Sequence, residues 1–259
     1  MVLHETKTIS VSGKGGAGKS TLTILLLKYL MEEKLGQDIL LVDADADANL
    51  SDMLAMPVTK TVGDLCDQKS LELRGEAQKD LSLRHAVLEA LLHGKGFDLL
   101  VMGRTKGEGC YCTVNSYLSK ITESIVRLYD VVLIDFDAGL EHFSRRSDKI
   151  ADILIVVTDP SKMGFETAKR IKGLIEELGL DFRKEFLVGS KYSSNTEPLF
   201  YDQCRSIGLE PGGLLPYHEK VAELNALGGS LLQMDWDPVL YKAIGEIWGK
   251  ILAEFKTKN

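Results

Sequence analysis

Short apolar runs alternate along the chain with longer stretches whose apolar residues recur at helical spacing. Thr8 to Val11 (TISV) is followed by a helical pattern from Lys19 to about Lys34, with Leu22, Leu25, Leu26 and Leu30 in step. Further runs are DILLV from Asp38, FDLLVM from Phe97, DVVLI from Asp130 and ILIVV from Ile153. FLV at Phe186 and GLL at Gly213 are shorter ones. All are too short for ordinary helices. They are apolar at consecutive rather than alternate positions, as strands covered on both faces should be. Strands alternating with helices predict βαβ units, hence an α/β fold with a doubly wound, mostly parallel sheet flanked by helices. Thr59 to Lys79, polar and poorly periodic, reads as an irregular insertion. With no internal repeat or low-complexity linker, residues 1–259 are expected to form one domain.

Composition narrows the class. Hydrophobic residues at 44% and charged residues at 27% exclude wholesale disorder. No segment approaches the roughly 20 apolar residues of a membrane span, so a cytoplasmic protein is expected. A net charge of −7 argues against a nucleic-acid partner. Four cysteines (Cys66, Cys110, Cys112, Cys204) are too few for a disulfide scaffold.

The first run leads into Gly13-Lys14-Gly15-Gly16-Ala17-Gly18-Lys19-Ser20, followed by Thr21, which matches GxxxxGK[ST] between a predicted strand and a predicted helix. That is a phosphate-binding P-loop. Its glycines let consecutive N–H groups converge on a phosphate at a helix N-terminus. Lys19 is assigned to the β- and γ-phosphates and the Ser20 hydroxyl to Mg2+. Lys14 makes the loop more specific: GKGGxGK[ST] resembles the deviant Walker A loop of the Min and Par ATPases and the nitrogenase iron protein. The resemblance implies that Lys14 reaches the phosphates of a partner subunit, and hence a homodimer whose closure depends on ATP.

Ligands in open α/β sheets bind beyond the carboxyl ends of strands. Asp43-Ala44-Asp45-Ala46-Asp47-Ala48-Asn49 follows the second run directly. The family resemblance assigns Asp43 and Asp45 to switch I, with Asp45 positioning the attacking water and Asp43 supporting Mg2+. Against this stands the alternative that some of these aspartates cap the next helix. Asp135 ends Leu133-Ile134-Asp135 and looks like the Walker B aspartate, holding Mg2+ through water. Asp137-Ala138-Gly139 then resembles switch II, where the Gly139 N–H senses the γ-phosphate. The family's adenine-reading Asn is replaced, since its place reads Gly189-Ser190-Lys191, which leaves Lys191 and Pro216 as base-side candidates. No guanine-reading NKxD is present, so ATP and ADP are the expected nucleotides.

Gly109-Cys110-Tyr111-Cys112 follows the FDLLVM run. Cysteines at i and i+2 of an extended segment present their thiols to one side. Two thiolates do not complete a four-coordinate site, but a two-fold axis between two copies supplies four. A metal-transfer site for Ni2+, with Zn2+ as the alternative, stands beside a bridging iron–sulfur cluster and a redox or inert pair. Cys66 and Cys204 are expected to be buried small hydrophobes. Taken with DADADAN and the GxGCxC segment, the chain resembles the CooC-type maturation ATPases, which serve carbon monoxide dehydrogenase and acetyl-CoA synthase. That resemblance implies an ATPase that delivers nickel to such a client. A membrane- or DNA-positioning ATPase is the runner-up, lent some support by an amphipathic C-terminal pattern from Val239 to Phe255, whose mixed charges suit packing against the sheet better than lipid.

Overall fold

The computed structural model describes residues 6–45, 49–65, 87–103, 125–136 and 151–256. The strands are β1 (Lys7–Gly13), β2 (Ile39–Ala44), β3 (Leu91–His93), β4 (Asp98–Val101), β5 (Val131–Phe136), β6 (Ile153–Thr158), β7 (Lys184–Ser190) and β8 (Glu210–Leu215). The helices are α1 (Lys19–Glu32), α2 (Asn49–Met53), α3 (Lys162–Leu178), α4 (Glu197–Ile207), α5 (Glu219–Leu227) and α6 (Pro238–Lys256). All eight strands form one sheet in the order β3-β4-β2-β5-β1-β6-β7-β8. Every pairing is parallel except that of the edge strand β3 with β4. The seven apolar runs are the seven parallel strands. β3 escaped notice because three residues leave no periodicity to read.

Both faces of the sheet are covered, which is why the runs are continuously apolar. On β5, Val131 and Leu133 enter one core while Val132, Ile134 and Phe136 enter the other. α1 lies across the first face and is buried almost all round, from Leu22 through Ile24, Leu25, Leu26 and Leu27 to Leu30. A helix apolar on every side belongs inside, and α1 is sandwiched between the sheet and α6. α6 buries Leu240, Ile244, Ile247, Trp248 and Ile251, so its apolar stripe is spent on the core. α3 covers the other face with Ala168, Ile171 and Ile175; Ser161 caps its start by accepting from the Gly164 N–H, and Gly179 ends it in the left-handed region. No helix among the described residues is long and apolar enough to cross a membrane.

Candidate nucleotide site

β1 ends at Gly13, whose φ of 143° suits glycine; a Cβ there would lie 2.1 Å from the Val157 carbonyl oxygen of neighbouring β6. The next residues turn sharply, with the Ala17 N–H donating to the Lys14 carbonyl at 3.1 Å. Gly16 and Gly18 take φ of 71° and 97°, and Gly18 is the N-cap of α1. Lys19 opens the helix and is only 8% exposed. A cavity of about 580 Å3 lies above, lined on the loop side by Gly15, Gly16, Gly18, Lys19, Ser20 and Thr21. Gly13 and Ala17 lie beneath, Gly13 against β6 and Ala17 in the core.

A second wall carries Asp45, Asn49 and Asp52. Register pairs Asp43 of β2 with Asp135 of β5, and Asp135 in turn with Val11 of β1, so two buried carboxylates sit side by side at the strand ends beside the loop. Asp43 accepts from the backbone N–H of Asp45 at 3.1 Å and of Leu50 at 3.0 Å. The bond from Leu50 ties the start of α2 to the end of β2 through Asp43. Asp45 accepts from the Asn49 amide at 3.1 Å. Burial, reinforced by the negative charge of Asp135, pushes the Asp43 carboxyl up to about 7.

Such crowded oxygens suit a hard cation. Among the described residues no three His, Cys, Asp or Glu side chains converge to hold an ion alone. Mg2+ does not require that: it keeps several waters and is commonly held by one or two carboxylates together with phosphates. Ser20, Asp43 and Asp135 fit it, and its chemistry there would be charge neutralisation on the phosphates.

Lys14 does not point into solvent. Its Nζ lies 2.7 Å from Asp159 Oδ2 of the same chain. Asp159 sits just beyond β6 and also bonds the Ser161 hydroxyl and, at 3.1 Å, the Ser161 N–H. Burial disfavours its charge, but the bonds from Lys14 and Ser161 outweigh burial and hold its carboxyl below the ordinary range. Asp159 was legible by the rule that marked Asp43 and Asp135, a carboxylate at the carboxyl end of an apolar run.

The base-side candidates Lys191 and Pro216 follow β7 and β8 directly. Lys191 Nζ donates to the Gly16 carbonyl at 2.7 Å, so its side chain is on the loop's backbone. Pro216 is half-buried after β8. The third wall of the cavity comes instead from Leu224, Asn225, Gly228 and Gly229, at and beyond the C-terminal end of α5. Asn225 donates to Thr21 Oγ1 at 3.2 Å. No sequence signal singles out Asn225. Cys110, Cys112 and Gly139 lie outside the described residues, as do Cys66 and Asp47. Cys204 is buried, its thiol pushed up to about 11 chiefly by burial, in keeping with a core role.

Residues 8–231 match the family described as the CobQ/CobB/MinD/ParA nucleotide binding domain. An uncharacterised ATP-binding protein of Methanocaldococcus jannaschii is 43% identical over 249 residues, covering 94% of this chain and 98% of the relative. The carbon monoxide dehydrogenase accessory protein CooC of Rhodospirillum rubrum is 32% identical over 186 residues, covering 66% of this chain and 70% of that protein. Among solved structures, a ParA-family ATPase from Chlorobium tepidum superposes with a TM-score of 0.71 at 18% identity, covering 97% of this chain and all of the other. The MinD protein of Pyrococcus horikoshii, complexed with Mg-ADP, gives 0.68 at 21%, covering 98% of this chain and 100% of its own. These structures share the fold. With the phosphate loop, the paired strand-end carboxylates and the match over residues 8–231, the chain belongs to the CobQ/CobB/MinD/ParA nucleotide-binding family and is a P-loop ATPase, converting ATP and water to ADP and phosphate.

Proposed function

We propose that this ATPase is a metallochaperone that carries Ni2+ on Cys110 and Cys112 at a homodimer interface and loads it into a nickel enzyme, carbon monoxide dehydrogenase or acetyl-CoA synthase. The observation that carries this reading is how the cysteine segment is rooted. The Met102 N–H donates to the carbonyl of Asp43 at 2.9 Å, and Met102 accepts from Gly63 at 2.9 Å. The chain then turns at Gly103, φ 62°, where a Cβ would fall 2.5 Å from Thr61. Met102, two residues before the described chain gives way to the cysteine segment, is thus bonded to Asp43 at the end of β2, beside the nucleotide site. Cys110 follows Gly103 by seven residues, a tether of at most about 25 Å. The resemblance to CooC, the carbon monoxide dehydrogenase accessory protein, supports the client class.

In the single chain Lys14 is neutralised by Asp159. Dimer closure would exchange that carboxylate for a phosphate of the partner's nucleotide, so nucleotide charge and subunit contact are linked. Closing the dimer pairs the two cysteine segments into four thiolates, a soft donor set that suits Ni2+ and Zn2+. Opening after hydrolysis would split the set and release the metal to the client. For the positioning alternative, the C-terminal pattern offers less than its length suggests, since Leu240, Ile244, Ile247, Trp248 and Ile251 of α6 are buried in the core.

The test is metal content and oligomeric state under anaerobic conditions, with ADP or ATP. Wild type should bind about one Ni2+ per dimer, the two-chain complement of a four-thiolate site. A Cys110→Ser/Cys112→Ser variant should bind none while still hydrolysing ATP. Full Ni2+ stoichiometry in that variant would remove the cysteines from the site. Recovery of iron with sulfide from wild type would point to a bridging cluster instead.

A further inference from the structure

We infer that Lys191 is a positioning residue for the phosphate loop and does not read the base. The inference deepens the ATPase activity and is independent of the nickel proposal.

A P-loop works by aiming consecutive N–H groups at phosphate. Because the peptide unit is planar, each N–H turned inward turns a carbonyl outward. The loop is rich in glycine, the residue that loses most conformational freedom on ordering. A contact that fixes an outward carbonyl beforehand therefore spares the ligand part of that ordering. Lys191 makes that contact on Gly16 with an ammonium donor; the N–H of the same peptide, that of Ala17, donates to the Lys14 carbonyl, so the contact braces the turn from Lys14 to Ala17 that contains the cavity-lining Gly15 and Gly16.

The reach of Lys191 is built into its backbone. It is one of only three described non-glycine residues with positive φ, at 62°, a conformation that costs energy for a side chain with a Cβ. Its neighbours engage the same region in order. Ser190 Oγ lies 3.4 Å from where a Cβ of Gly18 would stand. Tyr192 places its hydroxyl 3.2 Å from the Asp159 carbonyl, whose side chain holds Lys14. Three consecutive residues, the last of β7 and the two after it, thus rest on Gly18, Gly16 and the Asp159 segment.

The loop is tied on both flanks, by Lys14 to Asp159 and by Lys191 to Gly16. The first tie must break whenever Lys14 is used elsewhere. The second can then keep the loop's carbonyls turned out.

The experiment compares Lys191→Met, Lys191→Arg and Lys191→Gly by titration with ADP, inorganic pyrophosphate and adenosine. It adds amide hydrogen exchange of the nucleotide-free proteins. Loss of an exposed charged donor should weaken ADP and pyrophosphate about threefold in the Met variant, raising KM with kcat nearly unchanged. Exchange at the amides of Gly15 to Lys19 should quicken in the empty protein. Arg should restore most of both. Gly, which relieves the strained φ but has no donor, should not. Adenosine affinity and the preference for ATP over GTP should not move. A change in either would make Lys191 a base reader and overturn the inference. Weakened pyrophosphate with unchanged exchange would overturn it too, since that pattern belongs to a direct phosphate contact.

Discussion

Asp43 combines two requirements that conflict in the ligand-free protein. It must be buried beside Asp135 for the strand ends to present oxygen to the loop, yet both conditions favour its neutral form. The sign for stability follows. The unfolded carboxyl releases its proton near 3.8, whereas the folded one keeps it to about 7. Between those values the native chain holds more protons than the unfolded chain, so stability falls as pH rises through that window. The loss should be on the order of 3 kcal/mol. Urea midpoints of ligand-free wild type and Asp43→Asn from pH 4 to 7 should diverge, with the Asn protein gaining on wild type as pH rises; parallel curves would assign the burden to another group. Lys14 and Asp159 form the second residue-scale bargain. Lys14→Ala should abolish the ATP-dependent shift to dimer in sedimentation, while monomer ADP affinity changes less than about twofold, since the Lys14 side chain is held on Asp159 in the single chain. Asp159→Asn leaves Lys14 uncommitted and should bring the shift to about threefold lower ATP, the effect of weakening one part-buried ion pair. Lys14 and Asp43 were legible as motif members, but Asp159 as the monomer's partner for Lys14 was not, because 145 residues separate them.

Among the elements, α3 shows how close packing decides the worth of one methyl group. Gly164 lies in its first turn, where a Cβ would be 2.4 Å from Asp159 Oδ1 and 2.7 Å from the Asp159 carbonyl. Gly173, in the same helix, has nothing within 4 Å. Gly164→Ala should therefore destabilise by about 1–3 kcal/mol by forcing the Asp159 turn away. Gly173→Ala should stabilise by about 0.5–1 kcal/mol, the ordinary helix preference for alanine. Thermal unfolding measures both, and equal signs would refute the packing argument. α5 is the opposite case. It has no buried residue, yet it supplies Leu224 and Asn225 to the cavity and is joined to α1 by the Asn225–Thr21 bond. Its weak periodicity leaves it without a local signal, whereas α1 and α6 are marked by regular apolar spacing.

For the whole molecule, the sheet order is what turns dispersed residues into a site. β5 lies between β2 and β1, so Asp135 comes beside Asp43 and the phosphate loop, and β6 on the other flank of β1 brings Asp159 to Lys14. The sequence by itself determined the parallel α/β class, the seven buried strands and the phosphate loop, because each is written in local pattern: consecutive apolar residues, helical spacing, and glycines at fixed offsets from a lysine. It also marked the strand-end carboxylates, since a polar residue ending an apolar run can only face the sheet's edge. What it could not determine was pairing across the chain. Lys191 was marked by family resemblance as a base-side residue, and its bond to Gly16, made from a left-handed turn, was not legible. Asn225 carries no motif and reaches Thr21 only because α5 returns over the loop. The tertiary structure decided these contacts because hydrogen bonds between distant residues depend on crossover geometry, and local periodicity carries no information about that geometry.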